Sequence, residues 1–119
     1  MREQKSLTLR KYSQFSAMIL SAAMIMASVE DAAALTADDL LNKMSADERV
    51  AYIAGVVGGL AYSRFLRDRP DETGMSCVYD WYYTGQEARH RQINQWFERH
   101  LDKPVEPLLY VLIKKECGE

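Results

Sequence analysis

The chain is poor in the residues from which most catalytic and metal sites are built. Its 119 residues include two cysteines and two histidines. The histidines, His90 and His100, are ten positions apart, which turns them about 80° from each other on an ideal helix. Metal sites usually need about four clustered ligands, and no hydrolase nucleophile motif or His-Glu-x-x-His motif is present. We therefore predict no enzyme activity, no catalytic residues, no metal site and no cofactor.

The chain also lacks a basic excess. Fifteen Lys and Arg residues stand against seventeen Asp and Glu residues, a formal net charge of -2. Nucleic-acid-binding domains usually carry a strongly basic patch. Nucleic acid is therefore not an expected partner.

The apolar stretch at residues 15–29 is shorter than the roughly 18–20 residues that span a bilayer. It follows a basic segment, residues 2–11, and leads to Ala32 and Ala34, small residues of the kind that signal peptidase recognises. We predict that residues 1–34 are a signal peptide, cleaved before Leu35, and that the mature protein is periplasmic without a stable membrane anchor. The alternative is a retained anchor.

The remaining residues, 35–119, are predicted to form a single helical domain with 11 basic and 14 acidic residues. A core of this size alone gives marginal stability. Both cysteines, Cys77 and Cys117, lie in this part and no Cys-x-x-Cys motif is present, so we predict one disulfide between them. A metal pair or a redox thiol is the alternative.

Helix-start signals divide the mature part. Thr36 can cap a short helix with an acidic first turn, and Ser45 with Glu48 forms a capping box at the start of a long helix over residues 46–67.

Thr84 and Glu87 resemble a second capping box, which would open a helix reaching residue 100. A last helix is predicted to begin within residues 104–107 and to end at Cys117. The predicted fold is all-α, a small bundle of about four helices with one disulfide.

The long predicted helix contains Gly55, Gly58 and Gly59. Each interior glycine is less favourable than alanine by up to about 1 kcal/mol. We therefore expect Gly55 or Gly59 to face a closely packed helix, within the subunit or across a homodimer. A kink at Gly58 and Gly59 is the alternative.

Residues 68–84 are predicted to form a long connection, with a short strand as an alternative. The segment ends in four aromatic residues, Tyr79, Trp81, Tyr82 and Tyr83. They either pack around the disulfide or form a partner-binding surface together with Arg64 and Arg67, since Tyr and Trp are favoured at interfaces. If the segment is extended, Tyr79 and Trp81 point to one side and Tyr82 to the other.

Several segments occur in a characteristic order: residues 51–60 (AYIAGVVGGL), a cysteine after a variable loop (Cys77), an aromatic helix end (residues 95–98, QWFE), a connection ending in proline (residues 100–104) and a final helix ending at Cys117. In this order and spacing, residues 40–118 resemble the Tai/Rap immunity proteins, the periplasmic antitoxins of type VI secretion effectors.

The resemblance implies a helical, often dimeric inhibitor that occludes the cleft of a peptidoglycan amidase effector by protein–protein interaction. Many members have a further cysteine pair joining the first short helix to the start of the long one, which this chain lacks around Met44. The rival hypotheses are a periplasmic acid-stress chaperone of the HdeA class and an envelope protein of another role.

Overall fold

The computed structural model describes residues 33–119, in which five α-helices follow one another. They are α1 (Ala37–Lys43), α2 (Ala46–Asp68), α3 (Thr73–Tyr83), α4 (Gln86–Glu98) and α5 (Val105–Cys117). Pairing of the β type is limited, in this range, to an isolated bridge between Thr36 and Pro104. The predicted all-α fold is confirmed. The predicted signal peptide lies outside the described residues except for Ala33 and Ala34.

Both predicted caps at the start of the domain are confirmed. The Thr36 hydroxyl accepts a hydrogen bond from the N–H of Asp39 (3.2 Å), and the Asp39 carboxylate accepts one from the N–H of Thr36 (3.1 Å). Ser45 and Glu48 exchange the same pair of bonds at 3.2 and 2.8 Å. Hydrogen bonds from Lys43 and Thr36 lower the pKa of Asp39 to about 2. These bonds satisfy backbone donors that a helix start leaves free.

All five helices contribute to one apolar core. The largest fully buried side chains are Tyr82, Phe97, Leu40, Ile53, Ile93 and Leu109. No polar or charged residue among residues 33–119 is classed as buried. None of the helices in this range combines the length and apolarity needed to cross a bilayer.

Polar contacts between helices lie around the edge of this core. The Tyr52 hydroxyl on α2 donates to Glu106 on α5 at 2.6 Å, and this bond, with burial, raises the pKa of Tyr52 to about 12. The indole N–H of Trp96 on α4 donates to the carbonyl of Leu108 on α5 at 3.2 Å. At the start of the domain, the Leu35 carbonyl accepts from the N–H of Val105 at 3.0 Å. Helix α5 is thus bonded to three other parts of the domain.

The predicted disulfide is confirmed. Cys77, in the middle of α3, is bonded to Cys117, the last residue of α5, with their Cα atoms 5.8 Å apart. The bond spans 40 positions of the sequence. It therefore joins two helices that are distant along the chain.

The prediction of a long connection or strand over residues 68–84 is wrong, because most of this segment forms α3. Its first residue is preceded by Glu72, which makes no side-chain cap, so the usual start signal is missing. The buried positions Gly74, Val78 and Trp81 nevertheless recur at helical spacing. Packing of this face outweighs the aromatic preference for strands, which depends strongly on context.

The predicted capping box at Thr84 and Glu87 is also wrong. Thr84 is the C-cap of α3, and its N–H donates to the carbonyl of Asp80 at 3.0 Å. The N-cap of α4 is Gly85, whose φ of 66° is left-handed. Only two residues separate α3 from α4, and glycine adopts the required conformation without a steric penalty.

Within the subunit, the predicted close packing at the α2 glycines is wrong. A Cβ built on Gly55, Gly58 or Gly59 meets no neighbouring atom within 4 Å. α2 also continues through all three as a single helix to Asp68. The homodimer part of the prediction stays a prediction.

The closely approached glycine is Gly74 in α3. A Cβ there would lie 2.5 Å from Nε and 2.9 Å from Cγ of Arg64. The Arg64 side chain is held in place by bonds to Asp68 (2.5 Å) and to the carbonyl of Gly118 (2.9 Å). Gly74 therefore lets α3 pack against the stem of this arginine.

We predict that Gly74→Ala destabilises the protein by about 1–3 kcal/mol, because the added methyl group overpacks the contact with Arg64. The bonds that hold the Arg64 side chain in place oppose its moving aside. The matched control is Gly55→Ala, whose methyl meets nothing in the subunit. It should be neutral or stabilise by up to about 1 kcal/mol through helix propensity. Urea unfolding at low protein concentration measures both. A neutral Gly74→Ala beside a destabilising Gly55→Ala would contradict the packing described.

Candidate partner-binding surface

Helix α3 separates the four predicted aromatic site residues into a buried and an outer set. Trp81 is 5% exposed and Tyr82 is fully buried, so both belong to the core. Tyr83 is 55% exposed. Tyr79 is half-buried and stacks on Tyr83, one helical turn away, with ring centroids 6.3 Å apart. Because the segment is helical, the orientation predicted for an extended segment does not apply. Tyr79 and Tyr83 are the two residues of this set left for a partner.

The two predicted arginines differ in the same way. Arg64 has a 17% exposed side chain and is bonded to Asp68 and to the Gly118 carbonyl, so it fastens the chain end to α2. Arg67 has a 53% exposed side chain, and its pair with Asp68 at 3.1 Å lies at the surface. Surface pairs contribute little. Arg67 can therefore exchange Asp68 for another partner with little loss of stability.

An open groove of about 810 Å³ lies beside the disulfide, between α3, the first turns of α4 and the end of α5. Three carboxylates line it: Glu72 immediately precedes α3, Asp80 lies within α3, and Glu116 comes from α5. Its apolar lining includes Cys77 and Trp81. Sequence reasoning missed this site, because Glu116 joins the other two only through the packing of α5 beside α3.

Arg89 on α4 is the one basic residue in the groove lining. Its Nε donates to the carbonyl of Trp81 at 2.7 Å, and its Cζ lies 4.6 Å from the centre of the Trp81 ring. Arg89 thus joins α4 to α3 and covers an aromatic face, an arrangement that favours a fixed guanidinium. Its position in the wall is set by these two contacts.

Charge in the groove lining is unbalanced toward the acidic side. None of the three carboxylates forms an ion pair with any residue in the 33–119 range. Arg89 supplies one positive charge against them. The groove therefore suits a partner that presents hydrogen-bond donors or positive charge.

Tyr83 lies on the same side of α3 as the groove. Ser76, Asp80 and Tyr83 are spaced i, i+4 and i+7, which places them on one helix face. Ser76 and Asp80 line the groove. The candidate partner-binding surface is therefore this outer face of α3 together with the groove.

Between residues 33 and 119, no three potential metal ligands cluster.

A second feature of the region is the contact between Tyr82 and His90. The buried Tyr82 hydroxyl shares a hydrogen bond of 3.0 Å with Nε2 of His90 on α4. Burial, and next the positive charge of Arg49, lower the pKa of His90. Burial raises the pKa of Tyr82. The folded state therefore favours a neutral imidazole here.

Comparisons of the chain with models of protein families, with curated proteins and with solved structures give no match.

We predict that acidification destabilises the protein through His90. The pKa of His90 is lower in the folded state than its ordinary 6.5, so folding favours the neutral imidazole. This contribution to the free energy of unfolding is fully present above pH 6.5. It is lost as the pH falls from 6.5 through the folded pKa. Urea unfolding at pH 7.5 and 5.5 should show lower stability at pH 5.5, and His90→Gln should reduce the difference.

His100→Gln is the matched control for this prediction. Nδ1 of His100 is bonded to the carbonyl of Trp96 at 2.8 Å, near the end of the same helix. This variant should keep most of the pH dependence of the natural protein. If His90→Gln keeps the full dependence and His100→Gln loses it, the assignment to His90 is wrong.

Proposed function

We propose that this chain is a periplasmic immunity-type protein that binds a secreted peptidoglycan amidase effector and occludes its active-site cleft. The observation that carries the proposal is the exposed Tyr83 on a disulfide-fastened helix, next to a groove lined by three carboxylates that form no ion pair with any of residues 33–119. Interface hot spots are enriched in Tyr, Trp and Arg held on well-packed elements. The resemblance to the Tai/Rap immunity proteins supports the choice of an amidase.

Inhibition in this proposal is steric. The outer face of α3 covers the cleft of the amidase, and Tyr83 is the central apolar anchor. Glu72, Asp80 and Glu116 accept hydrogen bonds from the rim of the partner. A surface of this kind gains affinity from being rigid before binding, because less side-chain and backbone freedom is lost.

The disulfide is also typical of an exported protein. Disulfides form and persist in oxidising compartments such as the periplasm. The predicted signal peptide points to the same compartment. Both features support the proposed location of the encounter between the inhibitor and a cell-wall enzyme.

An acid-stress chaperone is the second candidate, favoured by one observation. Tyr62 and Leu66 on α2 are exposed apolar side chains in the folded subunit. A chaperone would use such a surface to hold unfolding clients in acid. Suppression of client aggregation at pH 3, without inhibition of any amidase, would favour this function over the first.

Tyr83→Ala should weaken binding to the amidase about thirty-fold, since truncating an interface hot spot commonly costs 2 kcal/mol or more. The matched control is Tyr62→Ala, because Tyr62 is 56% exposed and Tyr83 is 55% exposed. Both variants should retain the circular dichroism spectrum of the natural protein. The measurements are calorimetric titration against the amidase and inhibition of peptidoglycan hydrolysis.

The expected pattern is a loss of affinity in Tyr83→Ala with native affinity in Tyr62→Ala. Native affinity in both variants would move the binding surface away from α3. If the natural protein inhibits none of the amidase effectors encoded beside its gene, the immunity function itself is rejected.

A further inference from the structure

A second cavity, of about 420 Å³, lies between α4 and α5. It shares Trp81 and Glu116 with the groove beside the disulfide, and the rest of its lining comes from α4 beyond Arg89 and from α5. Ligand sites in proteins commonly enclose about 300–1,000 Å³. The cavity is therefore large enough for a small ligand, and it is open to the groove side of the domain.

The α4 wall of this cavity runs from Gln92 to Arg99. Gln92, Gln95 and Arg99 are spaced i, i+3 and i+7, which places them on one helix face. Arg99 lies about 10 Å beyond Gln92 along the helix axis. Since Arg89 lines the groove and precedes Gln92, Arg99 lies at the end of the cavity away from the groove.

Arg99 is arranged to bind a carboxylate. Its Cζ lies 5.7 Å from the centre of the Trp96 ring, and that ring is fixed by the hydrogen bond from its N–H to the Leu108 carbonyl. Arg99 forms no ion pair with any of residues 33–119. A guanidinium group on a fixed aromatic ring presents its N–H groups as a planar fork, which matches the two oxygens of a carboxylate.

The other two charges of the lining offset each other. Lys115 and Glu116 are consecutive residues of α5, and both line the cavity. Their opposite charges cancel, so the lining carries one net positive charge, that of Arg99. The cavity therefore suits a ligand with a single carboxylate at the Arg99 end.

The polar and apolar parts of the lining suit a peptide. Gln92 accepts a hydrogen bond from Arg89, which leaves its amide N–H groups as donors, and the Gln95 amide offers both a donor and an acceptor. Backbone amides of a peptide need both kinds of partner. On α5, Val111 is 47% exposed and provides apolar surface for a small side chain. Three extended residues span about 10 Å, the length of the wall along α4.

An acidic sugar suits the cavity less well. Sugar rings are commonly bound by stacking on an open aromatic face, and the indole rings here are covered. Trp81 is 5% exposed. The Trp96 ring is packed against Arg99 and lies 4.0 Å from the His100 ring, measured between ring centroids.

We propose that the cavity between α4 and α5 binds the carboxyl-terminal end of a peptide, over about three residues. Arg99 binds the terminal carboxylate, and Gln92 and Gln95 bind the peptide amides. The chain enters from the groove, which adjoins the cavity at Trp81 and Glu116. This binding does not depend on the immunity function, because it requires no amidase.

Calorimetric titration of the natural protein with trialanine tests the proposal. Small ligands have few atoms with which to gain affinity, so the titration extends to about 20 mM. Trialanine should bind. Trialanine amide, in which a neutral amide replaces the terminal carboxylate, should bind at least about tenfold more weakly, because the charge-assisted bonds to Arg99 are lost.

Variants of the lining locate the binding. Arg99→Gln should weaken trialanine binding at least about tenfold, and Val111→Glu should also weaken it, because the new carboxylate repels that of the ligand. The matched control is Arg91→Gln, which changes an arginine of α4 that pairs with Glu87 outside the cavity and should keep native affinity. All three side chains are exposed, and circular dichroism checks that the variants are folded.

Three results would overturn the proposal. They are no binding of trialanine up to about 20 mM, equal affinity for trialanine and its amide, and native affinity in both Arg99→Gln and Val111→Glu. Tighter binding of glucuronate than of trialanine would assign the cavity to an acidic sugar and would also overturn it.

Discussion

The disulfide between Cys77 and Cys117 is the constraint on which the candidate surface depends. Helix α3 has 11 residues and no side-chain cap at its start. Isolated helices of this length are marginal in water, so tertiary contacts have to hold it. The disulfide fastens the middle of α3 to the end of α5, and these helices carry the acidic walls of the groove. The spacing of those walls is therefore set by a covalent bond.

Three further contacts complete the placement of α3. Trp81 and Tyr82 bury the inner face of the helix, and Arg89 links the Trp81 carbonyl to α4. On the other side, Arg64 packs over Gly74 and binds the carbonyl of Gly118, next to the disulfide. A helix fixed in this way presents its outer side chains in one arrangement. That rigidity favours specific recognition of a partner over adaptable binding.

Features encoded over a few residues were predictable from the sequence. The caps at Thr36 and Ser45 were, because a capping box is made within four residues. The pairing of Cys77 with Cys117 was also predictable, since the sequence contains no other cysteine.

Features made by distant residues were not predictable in this way. Helix α3 was missed because its start has no cap and its stability comes from packing and the disulfide. The groove was missed because Glu116 reaches it only through the fold. Close helix packing was predicted at the glycines of α2, but within the subunit it occurs at Gly74.

The most direct test of this account is the free energy of unfolding of the natural protein compared with the Cys77→Ser/Cys117→Ser double variant, measured by urea denaturation at pH 7.5. Closing a loop of this length restricts the unfolded chain, so the account predicts that the variant is less stable by about 2–5 kcal/mol. In the variant, α3 should be the first helix to unfold as urea is added. Equal stability of the two proteins would contradict the claim that the disulfide holds α3 and its groove in place.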